Sequence, residues 1–221
     1  MKQLIKSLLL IAICAMPAFA MAQPESFEVT TSGGKATIQD FALAYCSQFD
    51  AGTFEHQALK GFKNGNSNHC DVDIENGYAR FRSREYSVLN TLEVCCWNLK
   101  KKNEKLIAVN RVSEGGDGLD ESFLEFYRYN AKTGMMKRTK APFVDAPRPI
   151  DMVDLSVASD ELVHEVKSAK NEDANKYQPI FMLPREGQDI TFRMADPDAI
   201  PKALQRVCTL IWNGSKFTVD R

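Results

Sequence analysis

The sequence predicts an α+β protein in which N-terminal helices precede a mainly antiparallel sheet or sandwich built from hairpins, with one later helix. Three observations indicate this class. An apolar stripe of helical period begins at Ile38, an Asn-Gly dipeptide at residues 76–77 separates two alternating runs, and further pairs of apolar runs follow. With 44% hydrophobic and 26% charged residues, the 221-residue chain has enough apolar side chains for a packed core, which excludes an intrinsically disordered chain.

The first 22 residues have the features of an export signal. Two lysines precede an apolar stretch over residues 8–13, which runs on to a small-residue site. The apolar stretch is about 12 residues long at most, and a transmembrane helix needs about 20. We therefore expect cleavage between Ala20 and Gln23 and a soluble mature protein in the periplasm or cell exterior. Cys14 suggests a lipoprotein signal as an alternative, but Ile13 stands where such signals need a small residue.

Charge and length set the remaining limits on the class of protein. The chain has 28 Lys and Arg against 29 Asp and Glu, so no overall positive charge draws it to nucleic acid. After the signal we expect a flexible segment over residues 23–36 and a single domain over residues 37–221, or two lobes divided near residues 141–155.

Two helices are predicted at the start of the domain. Thr37, followed three residues later by Asp40, is typical of a capping box, and the apolar stripe after it predicts a helix over residues 38–49. Thr53 begins a second, shorter helix that extends to Leu59 and is ended by Gly61.

Residues 70–82 form the clearest hairpin signal. Asn76-Gly77 between two alternating runs predicts a two-residue type I′ turn, with φ > 0 at both residues. This turn places Asp73 opposite Arg80, so that acidic and basic side chains share one face and apolar side chains the other.

Four more hairpins and a later helix complete the predicted elements. The paired strands are Leu92–Leu99 with Leu106–Val112, Phe123–Tyr129 with Met135–Arg138, Ile180–Leu183 with Asp189–Met194, and Val207–Trp212 with Lys216–Val219. Three prolines between residues 142 and 149 predict an extended loop. Residues 156–170 have the charge and apolar pattern of a helix that packs on the sheet.

The mature chain keeps an odd number of cysteines, which leaves one unpaired thiol in any monomer. They are Cys46, Cys70, Cys95, Cys96 and Cys208. Cys95 and Cys96 are adjacent in a predicted strand, where successive side chains point to opposite faces, so we expect no bond between them. We interpret the cysteines as small buried side chains rather than as a redox or metal centre.

Two sets of residues are candidates for binding. One is aromatic: Trp97, Tyr127, Tyr129 and Trp212 would line a sugar or peptide groove if they faced outward, and would otherwise pack in the core. The other is a Gly-rich acidic turn that could wrap a hard cation, formed by Asp117, Asp120 and Glu121. The lysines at residues 100–102 and 105 lie at a predicted hairpin tip, where they keep a turn soluble or contact a partner.

No motif for catalysis, a cofactor or a metal stands out. The three histidines lack zinc-site spacing, and neither a Gly-rich phosphate loop nor G-x-S-x-G occurs. The sequence therefore predicts no catalytic, cofactor-binding or metal-ligating residue.

Several segments together resemble small exported proteins of unknown function from Bacteroidetes-type Gram-negative bacteria. They are the signal, the acidic Asn-Gly hairpin, and residues 93–98 with 106–110, 183–190 and 210–217. The resemblance implies a periplasmic or secreted setting and assigns no catalytic residue.

These observations favour a non-enzymatic binding or interaction module. Its expected partners are envelope or extracellular proteins or glycans, and neither nucleic acid nor an integral place in the membrane is expected. The alternative is a hydrolase of an envelope or nutrient polymer, with carboxylates that are paired only in space.

Overall fold

The computed structural model describes residues 25–31, 33–115, 120–169 and 175–221, so the predicted export signal lies outside the described residues. The helices are α1 (Ile38–Cys46), α2 (Phe54–Asn64) and α3 (Asp160–Ser168). The strands are β1 (Ser26–Glu28), β2 (Cys70–Asp73), β3 (Tyr78–Glu85), β4 (Val88–Asn98), β5 (Glu104–Gly115), β6 (Glu121–Asn130), β7 (Met135–Thr139), β8 (Pro179–Met182), β9 (Ile190–Met194), β10 (Cys208–Trp212) and β11 (Phe217–Val219).

The strands of the described residues form two antiparallel sheets, and the predicted α+β class is confirmed. The first sheet has seven strands in the order β1-β7-β6-β5-β4-β3-β2, and the second has four in the order β11-β10-β9-β8. The four later hairpins pair as predicted. The Pro-rich stretch carries the chain from the first sheet to the second, where the Val144 N–H donates to the Phe217 carbonyl at 2.8 Å.

The seven-stranded sheet is covered on both faces, so the molecule has three layers. Val94, Ile107 and Tyr127 point to one face and pack against α1 and α2. Their strand neighbours Cys95 and Phe126 point to the other face and pack against the second sheet. Because alternate residues of each strand enter different cores, the central strands are apolar along most of their length.

The two N-terminal helices agree with the prediction at their starts and differ at their ends. The capping box is confirmed, since the Asp40 carboxylate accepts from the Thr37 N–H at 2.8 Å. The first helix ends at Cys46 instead of residue 49, because Ser47 caps it. The prediction that Gly61 ends the second helix is wrong. Gly61 lies inside α2, where a Cβ would stand 2.6 Å from the Phe81 ring, so the glycine allows the helix to approach the sheet.

The first hairpin forms with a longer turn than predicted. Asp73 pairs with Tyr78, and Arg80 lies opposite Asp71, so the register differs by two residues while the two faces are kept. The type I′ prediction is wrong, since Gly77 has φ +66° but Asn76 does not adopt positive φ. The Asn76 N–H donates to the Asp73 side chain at 3.1 Å, which holds a four-residue loop over residues 74–77.

The later helix is shorter than predicted, whereas the two adjacent cysteines occupy opposite faces of their strand as predicted. The helix predicted over residues 156–170 begins at Asp160, because the Ser159 hydroxyl accepts from the Leu162 N–H at 3.2 Å and caps it. Cys95 enters the core between the sheets and Cys96 packs against the core beneath the helices, as strand alternation predicted. All five cysteines of the described residues are free thiols.

Buried polar side chains join the two sheets along β8, which is the edge strand of the second sheet. The Asn110 amide donates to the Phe181 carbonyl at 2.7 Å and to the Glu93 carboxylate at 3.1 Å. The same carboxylate accepts from the Leu183 N–H at 3.2 Å, and the Ser122 hydroxyl accepts from the Phe181 N–H at 3.3 Å. The backbone groups of this edge therefore bind side chains of the first sheet instead of a further strand.

Candidate functional site

The four aromatic residues predicted as a candidate binding surface are buried. Trp97 and Trp212 lie 6.0 Å apart, measured between ring centroids, in the core between the sheets. Tyr127 and Tyr129 lie in the core beneath the helices. The hypothesis that these four side chains face outward and line a groove is therefore wrong. The first sheet is covered on both faces, and each of the four rings points into one of the two cores.

The predicted cation loop lies only partly within the described residues, since Asp117 is outside them. The Asp120 carboxylate accepts from Arg193 at 2.8 Å and from the Gly115 N–H at 3.2 Å. Glu121 is exposed and lines a cavity. Within the described ranges, no group of three or more His, Cys, Asp or Glu residues could hold a metal ion.

An open sheet edge lies next to Asp120. The β6 strand pairs with β5 from Glu121 onward, but with β7 only from Phe126 onward, because β7 ends at Thr139. After that residue the chain passes to the second sheet. In the described part of the chain, no strand pairs with residues 121–125 on the side away from β5.

The direction of the hydrogen bonds shows which backbone groups face this edge. The Arg138 N–H donates to the Glu25 carbonyl at 2.8 Å, on the β1 side, so the neighbouring Thr139 directs its backbone groups toward β6. Thr139 lies opposite Phe126, so the backbone groups of Phe126 face β7. Because the backbone groups of successive residues alternate in direction along a strand, those of Leu124 and Ser122 point to the same side as those of Phe126. The backbone N–H and C=O groups of Ser122 and Leu124 therefore face the open edge.

The Asp120 backbone continues the same pattern at the start of the strand. Its N–H donates to the Ala195 carbonyl at 3.3 Å, on the side away from β5. This bond from the second sheet marks one end of the open edge, and the end of β7 marks the other.

Two cavities follow the open edge. The first, of about 330 Å³, lies toward Asn175 and Gln178, and the second, of about 370 Å³, lies toward Arg138 and Phe143. They share Ser122, Phe123 and Phe181. We call this feature the edge groove and define it by residues Asp120–Glu125, Arg138, Phe143, Asn175, Gln178 and Phe181.

The two sides of the edge groove differ in character. On the side of the second sheet, the Phe143 and Phe181 rings stack with centroids 6.5 Å apart. On the helix side, Phe123 is 53% exposed, and the Arg111 guanidinium carbon lies 5.3 Å from its ring centroid. An exposed aromatic ring beside an unpaired strand edge gives the groove both apolar area and backbone hydrogen-bonding groups.

A charged network supports the helix side of the groove. The Arg111 guanidinium pairs with the Glu55 carboxylate at 2.9 Å, and Arg138 pairs with Glu125 at 2.9 Å. Burial opposes the charge on Arg111, yet the pKa of its guanidinium is raised because it donates to the Glu55 carboxylate. Arg111 therefore stays charged beneath Phe123.

The sequence does contain a signal for this open edge, although no motif marks it. The predicted hairpin of Phe123–Tyr129 with Met135–Arg138 joins strands of unequal length. Since Asn130 pairs with Met135, the shorter strand ends before it reaches Phe123. The prolines that follow prevent the chain from continuing as a strand there.

Comparisons with known proteins assign no function, so a functional proposal must be based on the geometry of the edge groove. A scan against protein-family models and searches of curated proteins and of solved structures find no match to this chain. None of the helices in the described residues is long and apolar enough to cross a membrane.

Proposed function

We propose that this chain is an exported, non-enzymatic binding module that takes up an extended segment of another polypeptide in the edge groove. The observation that carries the proposal is the open edge of β6, where Ser122 and Leu124 direct backbone N–H and C=O groups toward two cavities. Strand addition to an exposed edge is a recurring mode of peptide recognition, in which backbone bonds supply affinity and pockets supply specificity. Export to the periplasm or cell exterior rests on the signal features of residues 1–22.

The groove also indicates what kind of segment it accepts. A segment that continues the line of β7 runs antiparallel to β6, like every neighbouring strand of the sheet. Its alternate side chains contact Phe143 and Phe181 on one face, so these positions are apolar. On the other face, charge complementarity favours a basic residue near the exposed Glu121.

Panning of a random dodecapeptide phage library on the purified protein, followed by calorimetric titration of the selected peptides, tests this function. Phe123→Asp removes the exposed ring, and Leu124→Pro removes an N–H at the open edge without removing a bond to β5. Ile211→Asp is the matched control, because Ile211 is 44% exposed on the second sheet, outside the groove.

We expect both groove variants to weaken peptide binding about tenfold or more, while the control variant binds like the parent. Melting curves of the three variants check that they fold. Selected peptides that bind all three variants equally well would contradict the proposal, and so would the failure of panning to select any extended peptide.

A further inference from the structure

A second surface of the molecule has a strong positive charge although the chain as a whole has almost none. Two cavities, of about 610 and 630 Å³, lie on either side of Glu104. Lysines line the first, and Arg128 and Lys137 contribute to the second. We call this feature the basic surface and define its charged residues as Lys35, Lys101, Lys102, Lys105, Arg128 and Lys137.

Glu104 is the acidic residue that lines both cavities, and it organises the cations around them. Its side chain is buried and pairs with the Lys101 ammonium group on one side and with Arg128, at 3.6 Å, on the other. Its Oε2 accepts no hydrogen bond within the described residues. The carboxylate therefore holds one cation in the lining of each cavity, Lys101 in the first and Arg128 in the second.

We propose that the basic surface binds an acidic polysaccharide, a sugar chain that carries carboxylate or sulfate groups. Cations that converge on a cleft concentrate the field there and attract an anionic ligand. Amide and hydroxyl side chains that suit sugar hydroxyl groups line the same cavities, among them Asn98, Asn103, Asn130 and Thr133.

The aromatic content of this surface favours a sugar chain over a nucleic acid. Single-stranded nucleic acids bind basic grooves in which exposed aromatic rings stack on the bases. Tyr129 is the aromatic residue that lines these cavities in the described part of the chain, and it is only 5% exposed. The two cavities lie side by side, so the ligand is a chain of several sugar units rather than a single one.

Titration of the full-length mature protein with a fluorescein-labelled heparin oligosaccharide tests the proposal at two ionic strengths, about 50 and about 150 mM NaCl. One triple variant, Lys101→Gln with Lys102→Gln and Arg128→Gln, removes charge from the basic surface. The matched control, Lys60→Gln with Lys167→Gln and Arg206→Gln, removes the same charge from exposed positions elsewhere. Neutral dextran and a single-stranded DNA of similar charge serve as further ligands.

We expect heparin binding that weakens with salt, a loss of about tenfold or more in the first triple variant, and little change in the control. Three results would overturn the proposal: no heparin binding at the lower ionic strength, equal losses in both variants, or DNA binding that is tighter than heparin binding and depends on the same residues. Peptide binding in the edge groove is measured in parallel and is unaffected by the first triple variant.

Discussion

Asn110 is a fully buried polar residue that joins the two sheets. Its amide group donates to Glu93 and to the Phe181 carbonyl, and its side-chain oxygen accepts from the Ser122 hydroxyl at 2.7 Å. A buried polar group is tolerated when its hydrogen bonds are made, and Asn110 makes bonds with both ends of its amide. The residue thus allows an edge strand to be buried without a strand partner.

We expect Asn110→Leu to lower the free energy of unfolding by about 2–3 kcal/mol. The substitution keeps the branched shape of the side chain but leaves the Phe181 carbonyl and one bond of Glu93 unsatisfied. Urea denaturation of the purified variant measures the loss. Ser122→Ala removes a smaller part of the same network and should cost less, and a parent-like Asn110→Leu variant would show that these bonds contribute nothing to stability.

Single residues were the hardest feature to predict from the sequence. Alternation along a strand showed that Cys95 and Cys96 occupy different faces, because that property is local. The same alternation could not show whether Trp97 and Trp212 face water or a second layer. That outcome depends on residues more than a hundred positions apart in the chain, which the sequence pattern alone does not bring together.

The hairpins were predictable because their signals are short and local. Alternating apolar residues flanking a polar turn identified each strand pair, and the observed pairs agree with the predicted ones. The details of the turn were less accessible. A side-chain hydrogen bond from Asn76 to the Asp73 carboxylate selected a longer loop over the two-residue turn, and this competition is invisible in a dipeptide pattern.

Helix ends show the same limit, because tertiary contacts decide them. Gly61 has the composition signal of a helix end, yet α2 continues for three more residues to Asn64. Gly61 is needed because the Phe81 ring approaches the helix too closely for a Cβ atom, and it does not end the helix despite its low helix propensity.

The hairpin turn at Gly77 allows a test in which backbone strain and steric contact are separated. Gly77 and Gly134 have nearly equal φ values, +66° and +68°, but only at Gly77 would a Cβ meet another atom, Cys96 Sγ at 2.8 Å. We expect Gly134→Ala to cost about 1 kcal/mol from strain and Gly77→Ala to cost about 1–3 kcal/mol more. Denaturant titrations of both variants measure the difference.

A double variant provides the control for this comparison. Cys96→Ala removes the sulfur atom that the new methyl group would contact, so it should reduce the additional cost of Gly77→Ala. Equal losses in the two single variants would show that the contact at Gly77 is relieved without cost.

At the scale of the whole molecule, the three-layer arrangement creates the edge groove. The first sheet continues to β1 on one side of β6, but the chain leaves for the second sheet after Thr139 and exposes the first half of β6. The unequal strand lengths were readable in the sequence. The position of the second sheet could not be predicted, because it depends on long-range packing. This sheet supplies Phe181 as a wall of the groove.

Burial of the cysteines makes the stability of the whole molecule sensitive to alkaline pH. Burial, with a contribution from Asp71, raises the pKa of the Cys70 thiol to about 11. In the unfolded chain the thiol ionises near pH 8.5, so stability is complete below that pH and falls as the pH rises toward 11. We expect Cys70 alone to account for a loss of about 1–2 kcal/mol by about pH 10.

Urea denaturation at about pH 7 and about pH 10, with Cys70→Ala as the control, measures this dependence. The variant should lose less stability than the parent between the two pH values. If it loses as much as the parent, Cys70 ionises equally easily in the folded and unfolded states.

Amide hydrogen exchange followed by NMR shows whether the open edge of β6 accepts a strand. In the free protein, the amides of Ser122 and Leu124 should exchange faster than those of Phe123 and Glu125, which face β5. A saturating amount of a peptide selected by panning should slow exchange at Ser122 and Leu124 and leave the other two amides unchanged. Equal protection of all four amides in the free protein, or peptide binding without new protection at Ser122 and Leu124, would contradict the claim.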